Sequence, residues 1–210
     1  MATVLHIRAT ATAELSYSLR AAEAFLESYL ESHPGDTVDT LDLARETVPE
    51  FLGLVARGKY RILHGEAHTE EEADAWRAVE AEIERFKNAD KLVISSPMWN
   101  FGIPYRLKQY VDVIVQPGYT FAYSPEKGYT GLVTGRPAIL ILARGGEYQP
   151  GTEAAAFDFQ RPYLETILGF IGFTDVSTIV VEPTLQGGPE VAEQKLAEAI
   201  TEAREQARTF

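Results

Sequence analysis

Five short apolar runs recur along the chain, and each has the length of one β-strand. Several are almost continuous Val, Ile and Leu, a pattern typical of strands that a parallel sheet buries on both faces. The runs occupy residues 3–8, 37–43, 90–95, 137–143 and 175–181. We therefore predict five strands that lie in one sheet.

The segments between these runs carry apolar residues at helical spacing. The second predicted helix starts after Thr69, which forms a capping-box pattern with Glu72. Strand and helix alternate along the chain, and this order predicts a parallel sheet with helices on both faces. The helices are expected from Ser18 to about Ser32, after Thr69 with the stripe Trp76, Val79, Ile83 and Phe86, over Tyr105–Val115, through Phe157, Leu164, Ile167, Leu168 and Ile171, and from Pro189 onward.

Two segments interrupt this alternation. Residues 44–68 form a long excursion in which a short helix is expected over 50–56. Residues 119–135 predict a β-hairpin, because Tyr, Phe and Thr surround a Ser-Pro-Glu-Lys-Gly turn. No linker or repeat divides the 210 residues, so we expect one domain over 1–210.

Composition and charge exclude several classes of function. The chain has no cysteine, which rules out disulfides and thiolate chemistry and suits a reducing compartment, so we expect a cytoplasmic protein. The net charge of -12 argues against nucleic acid and anionic membranes as partners. No apolar run approaches the roughly 20 residues of a membrane span, no signal peptide is evident, and the four histidines lack a metal-binding spacing.

Ligands of open parallel sheets bind beyond the carboxyl ends of the strands. After the first predicted strand, Thr10, Ser16 and Ser18 precede a helix, and hydroxyls with free amides at a helix N-terminus form an anion site. The alternative is a plain N-cap. Neither G-x-G-x-x-G nor a Walker A motif is present.

The loop after the third predicted strand carries two large aromatic residues, Trp99 and Phe101. Turns prefer Gly, Asn, Asp and Ser, so these side chains call for an explanation. A flat ring could lie against them, with the backbone amides of 99–102 facing its edge. The alternative is a hydrophobic loop that closes over the core.

The loop after the fourth predicted strand contains Gly145 and Gly146, which permit close approach of a ligand to the backbone. Arg144 and the amides beyond it are expected to face electron-rich atoms. The alternative is a turn that needs two glycines. Taken together, a phosphate pocket, an aromatic wall and a glycine-rich floor on three neighbouring loops predict a flavin mononucleotide (FMN) site.

Sequence motifs add a resemblance to a known family. They are PMWNF at 97–101, I-P-x-x-L-K-x-Y-x-D at 103–112, GYTF at 118–121, GLVTG at 131–135, RGG at 144–146, LGFIGFTDV at 168–176 and GPE at 188–190. On these motifs the chain resembles the FMN-dependent NADH-azoreductases, which are a bacterial branch of the flavodoxin-like quinone reductases.

The resemblance implies a flavodoxin-like three-layer sandwich, with a five-stranded parallel sheet of order 2-1-3-4-5 and a β-hairpin excursion. It also implies an FMN-dependent NADH or NADPH oxidoreductase that reduces quinones and cleaves azo bonds in two-electron, ping-pong cycles. Members are homodimers with active sites at the interface, which implies that Phe121 reaches the partner's flavin. A flavin-binding electron carrier or redox sensor is the alternative function.

The resemblance also assigns site residues. No catalytic side chain beyond the flavin is expected, and Trp99 and Phe121 would line the substrate pocket. The cofactor-binding residues would be Thr10, Ser16, Tyr17, Ser18, Pro97, Met98, Trp99, Asn100, Phe101, Ala143, Arg144, Gly145 and Gly146.

Overall fold

A sheet of five parallel strands forms the centre of the structure, a computed structural model that describes residues 1–12 and 15–210. The strands, including two outside this sheet, are β1 (Thr3–Arg8), β2 (Thr37–Asp42), β3 (Lys91–Pro97), β4 (Phe121–Ser124), β5 (Gly128–Gly131), β6 (Pro137–Ala143) and β7 (Asp175–Val181). The sheet order is β2-β1-β3-β6-β7. It equals the predicted order 2-1-3-4-5 once the separate β4–β5 pair is left out of the count, so the predicted fold class is confirmed.

Helices cover both faces of this sheet, and each face has its own apolar cluster. Phe25, Tyr29 and Leu196 belong to the cluster on one face, whereas Trp76 and Leu107 belong to the other. The helices are α1 (Tyr17–Ser32), α2 (Gly53–His64), α3 (Glu70–Asn88), α4 (Tyr105–Ile114), α5 (Arg161–Ile171) and α6 (Gly188–Ala207). Thus α1 and α6 lie on one side, and α3, α4 and α5 lie on the other.

Local sequence signals explain where most helices begin. Thr69 Oγ1 accepts a hydrogen bond from the Glu72 amide, and the Glu72 carboxylate accepts one from the Thr69 amide, so the predicted capping box is present. Helix α6 has Pro189 in its first turn, as expected. The hairpin predicted over 119–135 is the antiparallel pair β4–β5.

Two helix predictions were wrong in extent. The short helix expected over 50–56 is α2, which starts at Gly53 and continues to His64. Phe157 does not belong to α5, because it ends a separate 3-10 helix (Glu153–Phe157). Pro162 lies in the first turn of α5, where a proline is tolerated because the first amides of a helix have no intrahelical partner, so α5 begins only at Arg161.

No helix in the described ranges is long and apolar enough to cross a membrane. The cellular location of the protein stays a prediction, as does the division of the chain into one domain.

Candidate functional site

Three loops start side by side at the carboxyl edge of the sheet. The Ala9 amide donates to the Ser95 carbonyl oxygen at 2.9 Å, and the Met98 amide donates to the Ala143 carbonyl oxygen at 2.8 Å. Pro97 and Ala143 are also paired in register between β3 and β6. The sheet therefore brings the ends of β1, β3 and β6 together, as the site prediction requires.

The loop after β3 contains a strained turn. Asn100 and Phe101 both have positive φ angles, 47° and 71°. The turn is closed by two hydrogen bonds of 3.0 Å, from the Trp99 amide to the Gly102 carbonyl oxygen and from the Gly102 amide back to Trp99. A bulky residue such as Phe101 rarely adopts this conformation, which costs about 1–3 kcal/mol and concentrates at functional sites.

This turn decides which amides of the loop can reach a ligand. The expectation that all amides of 99–102 face a ring is wrong for Trp99 and Gly102, because these two bind each other. The amides of Asn100 and Phe101 have no hydrogen-bond partner within residues 1–12 and 15–210. Two adjacent donors are therefore available at the point where the backbone is strained.

Aromatic side chains surround this turn and stay partly in solvent. Trp99 is 39% exposed and lies 6.4 Å from the Tyr105 ring, measured between ring centroids. Phe101 is 46% exposed and lies 5.4 Å from the Phe157 ring. The alternative of a loop closed over the core does not hold for these two side chains. Sequence reasoning missed Tyr105 and Phe157 as neighbours of the site, although both are aromatic residues at helix ends.

The loop after β6 presents free backbone donors but not a free guanidinium. The Arg144 side chain is buried and ion-paired with Asp158 and Glu182, so it is not available to a ligand. Its backbone is also used, since its amide donates to Val181 and its carbonyl oxygen accepts from Thr184. The amides of Gly145 and Gly146, by contrast, make no hydrogen bond inside the described part of the chain.

The loop after β1 brings hydroxyl groups to the start of α1. Ser16 is the N-cap, whose Oγ accepts a 3.3 Å hydrogen bond from the Leu19 amide. The Oγ atoms of Ser16 and Ser18 are 3.1 Å apart, and Thr10 is buried at the end of β1. The amides of Tyr17 and Ser18 have no partner in the ranges that the structure describes. Ser16 thus acts as the plain N-cap of the alternative interpretation, and a phosphate-binding role of this loop stays a prediction.

Two clefts meet at Trp99. One has a volume of about 520 Å³ and runs from Thr10 past the 43–50 segment to Trp99 and Tyr105. The other has a volume of about 660 Å³ and is walled by Phe51, Leu52, Trp99 and Tyr105. Both volumes are in the range of ligand sites.

Phe121 lies elsewhere on the chain. The centroid of its ring lies 4.8 Å from that of Phe170 and 6.0 Å from that of Tyr129. These rings line a third cleft, which shares no lining residue with the clefts at Trp99. Within one chain Phe121 therefore lines a different cleft from Trp99. Its predicted contact with a partner's flavin stays a prediction.

One buried histidine lies outside the site. His6 on β1 is 2% exposed, and its Nε2 is 2.9 Å from Ser95 Oγ. Burial, helped by the nearby charge of Arg8, lowers the pKa of His6 from 6.5 to about 4. The imidazole is neutral near pH 7 and ties β1 to β3 beneath the loops.

A comparison with protein families agrees with this geometry. A family model described as "Flavodoxin-like fold" matches residues 2–207, which is nearly the whole chain. This chain belongs to that flavodoxin-like family.

Named relatives of this flavodoxin-like protein narrow the family further. A protein of Nitratidesulfovibrio vulgaris (strain DP4), named FMN-dependent NADH:quinone oxidoreductase, is 50% identical over 210 residues that span 100% of both chains. A second protein of that name, from Desulfotalea psychrophila, is 44% identical over 97% of this chain and 95% of its own.

Solved structures agree with these relatives. The crystal structure of azoreductase from Bacillus anthracis str. Sterne has a TM-score of 0.91 and 37% identity, and the match covers 100% of both chains. A structure of an FMN-dependent NADH-azoreductase from Bacillus anthracis str. Ames Ancestor in complex with FMN has a TM-score of 0.86 and 29% identity, covering 99% of this chain and 100% of that one. The family predicted from the sequence motifs is thereby confirmed.

Proposed function

We propose that the protein binds FMN at this edge of the sheet and uses NADH or NADPH to reduce quinones and azo compounds by two electrons. The observation that carries this proposal is the strained turn at Asn100 and Phe101, whose amides have no partner among the residues that the structure describes. This turn follows β3, which pairs with β6, the strand that leads to Gly145 and Gly146. Bound FMN supplies the redox chemistry, and the protein binds and orients it.

The available donors fit the two ends of such a cofactor. Amides on the loops after β3 and β6 suit the polar edge of a flat heterocycle. Hydroxyls of Ser16 and Ser18, with the first amides of α1, suit a phosphate. Because the chain has a net charge of -12, an anionic group needs local donors of this kind.

Trp99 and Tyr105 would shape the place where nicotinamide and acceptor bind in turn. Both line both clefts, and the larger cleft is mainly apolar. NADH and a quinone would occupy the same place one after the other, which implies ping-pong kinetics. An electron carrier without its own organic substrate, which is the alternative function, has no use for such a slot.

We also propose that the protein works as a homodimer with its active sites at the interface. Tyr123 and Tyr129 of the hairpin are well exposed, and they lie beside Phe121 and Phe170. Large exposed aromatic patches mark interaction sites. In this arrangement Phe121 crosses to the partner's substrate slot.

Titration of the cofactor-stripped protein with FMN tests the proposal. We expect the flavin fluorescence to be quenched at a one-to-one ratio, and turnover of NADH with a panel of quinones and azo dyes to follow a ping-pong pattern. Unquenched fluorescence would refute the site. Quenching without NADH oxidation in the presence of any acceptor would instead favour the electron carrier.

A further inference from the structure

Arg144 is a cation buried at the edge of the proposed flavin site. It is 3% exposed, and the carboxylates of Asp158 and Glu182 lie beside it with small exposed fractions. Arg144 Nη2 is 2.8 Å from Asp158 Oδ2, and Nη1 is 3.4 Å from Glu182 Oε2. We name Arg144, Asp158, Glu182 and Gln160 the arginine hub.

One contact of the hub closes the loop after β6. Glu182 Oε2 accepts from Arg144 at one end of the loop and from the Tyr148 amide at the other, at 3.4 Å and 3.2 Å. The residues between these two anchors are 145–147, which include the glycines with free amides. The Glu182 carboxylate therefore fixes the distance between the two ends of the loop segment that carries these amides.

Another contact connects the hub to the carboxyl end of β3. Arg144 Nε donates to Gln160 Oε1 at 3.2 Å, and Gln160 Nε2 donates to the Ser96 carbonyl oxygen at 3.2 Å. In addition, the Phe159 amide donates to the Phe101 carbonyl oxygen at 2.9 Å. A single guanidinium thus links the loop after β6 to the end of β3, and Phe159, next to Gln160 in the chain, holds the loop that follows β3.

We propose that Arg144 and Glu182 are positioning residues, which align the amides of the two loops on the isoalloxazine ring. This inference rests on the proposed function. Buried ion pairs add little net stability, because desolvation offsets their attraction, so a role in geometry explains the hub better than a role in stability. The planar guanidinium donates hydrogen bonds to Gln160 and Glu182 in fixed directions and lies beside the charge of Asp158, an arrangement that a lysine cannot reproduce.

Matched variants distinguish a role of the hub in positioning the loops from a role in stabilising the fold. Glu182→Met removes the acceptor for the Tyr148 amide, whereas Glu182→Gln retains an oxygen there. Arg144→Lys retains the charge but loses the fork, and Arg144→Met removes both. Arg161→Met is the control, because the Arg161 side chain forms an exposed pair with Glu165 at 2.7 Å and does not touch the hub. Only the Arg161 backbone amide, which the substitution retains, donates to Asp158.

The measurements are the dissociation constants of FMN and riboflavin, the midpoint potential of the bound flavin, and thermal unfolding of the cofactor-stripped protein. For Glu182→Met and Arg144→Lys we expect both dissociation constants to rise by the same factor, about two- to tenfold for each displaced amide. The midpoint potential should become more negative, because the reduced flavin should lose more affinity than the oxidised flavin. Each tenfold difference between the two losses corresponds to about 30 mV. Glu182→Gln and the control should remain close to wild type.

Unchanged affinity and potential in folded Glu182→Met protein would overturn the proposal. A lower unfolding temperature with an unchanged potential would also overturn it, since the hub would then serve only stability. If Arg144→Met does not fold, Arg144→Lys and Glu182→Met still decide the question. Failure of the wild-type protein to bind FMN would refute the proposed function instead.

Discussion

The two tryptophans of this chain occupy opposite kinds of environment. Trp76 is 1% exposed on α3, and its Nε1 donates to Tyr119 Oη at 3.2 Å. Trp99 is 39% exposed beside the strained turn, and its ring centroid lies 6.4 Å from that of Tyr105. The difference predicts that Trp76 stabilises the fold, whereas Trp99 remains accessible to a ligand.

The largest expected effect is on the enclosed tryptophan. Trp76→Ala should lower the free energy of unfolding by about 3–5 kcal/mol, because it leaves a cavity among Phe51, His68 and Tyr119. Urea unfolding followed by circular dichroism measures this loss. A loss below about 1 kcal/mol would contradict the description of Trp76 as a core residue.

The buried His6 gives a second test of the core, through pH. Its folded-state pKa of about 4 lies below the ordinary 6.5, so the unfolded chain binds a proton more readily between these values. The contribution of neutral His6 to the free energy of unfolding is complete above about pH 6.5. It is lost as the pH falls through about 4, and the loss amounts to about 3 kcal/mol. Unfolding of the wild type and His6→Asn, compared from about pH 7 to about pH 4.5, should show a weaker pH dependence in the variant. Parallel curves would contradict this pKa.

The third prediction concerns Gly146, at the carboxyl edge of the sheet. A Cβ at Gly146 would meet side-chain atoms of Gln186 and Tyr148 at 3.7 Å, an ordinary van der Waals distance, so the backbone has room for a Cβ and we use Gly146→Val to test the ligand side. A bound ring would be displaced, and overpacking a close contact costs about 1–3 kcal/mol, which lowers affinity about fivefold to 150-fold. Fluorescence titration with FMN measures this effect. Gly169→Ala, on an exposed part of α5, is the control, and equal affinity in the two variants would refute the assignment of Gly146.

The smallest expected effect on stability is at the open tryptophan. Trp99→Ala should change the free energy of unfolding by no more than about 0.5 kcal/mol, as surface substitutions usually do. It should alter the ratio of kcat/KM for quinones to that for azo dyes more than it alters NADH oxidation. Identical acceptor preferences in wild type and variant would argue against Trp99 as a wall of the substrate slot.

Short-range patterns accounted for much of the fold. The helical stripe with Trp76, the Thr69–Glu72 capping box and the apolar runs of the strands all depend on residues close together in the chain. The site loops were found for a related reason, since strand ends of a parallel sheet meet at one edge. The extent of α2 was missed, because α2 begins without a side-chain cap.

Features of the site that depend on long-range contacts could not be predicted from the sequence. The direction of the Arg144 side chain depends on Glu182, which is 38 residues further along the chain, and on Asp158. The left-handed conformation of Phe101 has no local signature, because phenylalanine does not favour positive φ.

The sequence alone determined the order of elements, the family and the three loops of the candidate site, because local patterns or contiguous motifs encode each of them. Only the tertiary structure decided which donors are free. Within residues 1–12 and 15–210 the amides of Asn100, Phe101, Gly145 and Gly146 have no partner, whereas the amides of Trp99 and Gly102 and the Arg144 guanidinium are already bound. The physical reason is that a hydrogen-bonding group becomes available to a ligand only when folding leaves it without an internal partner, and that depends on residues distant in the chain.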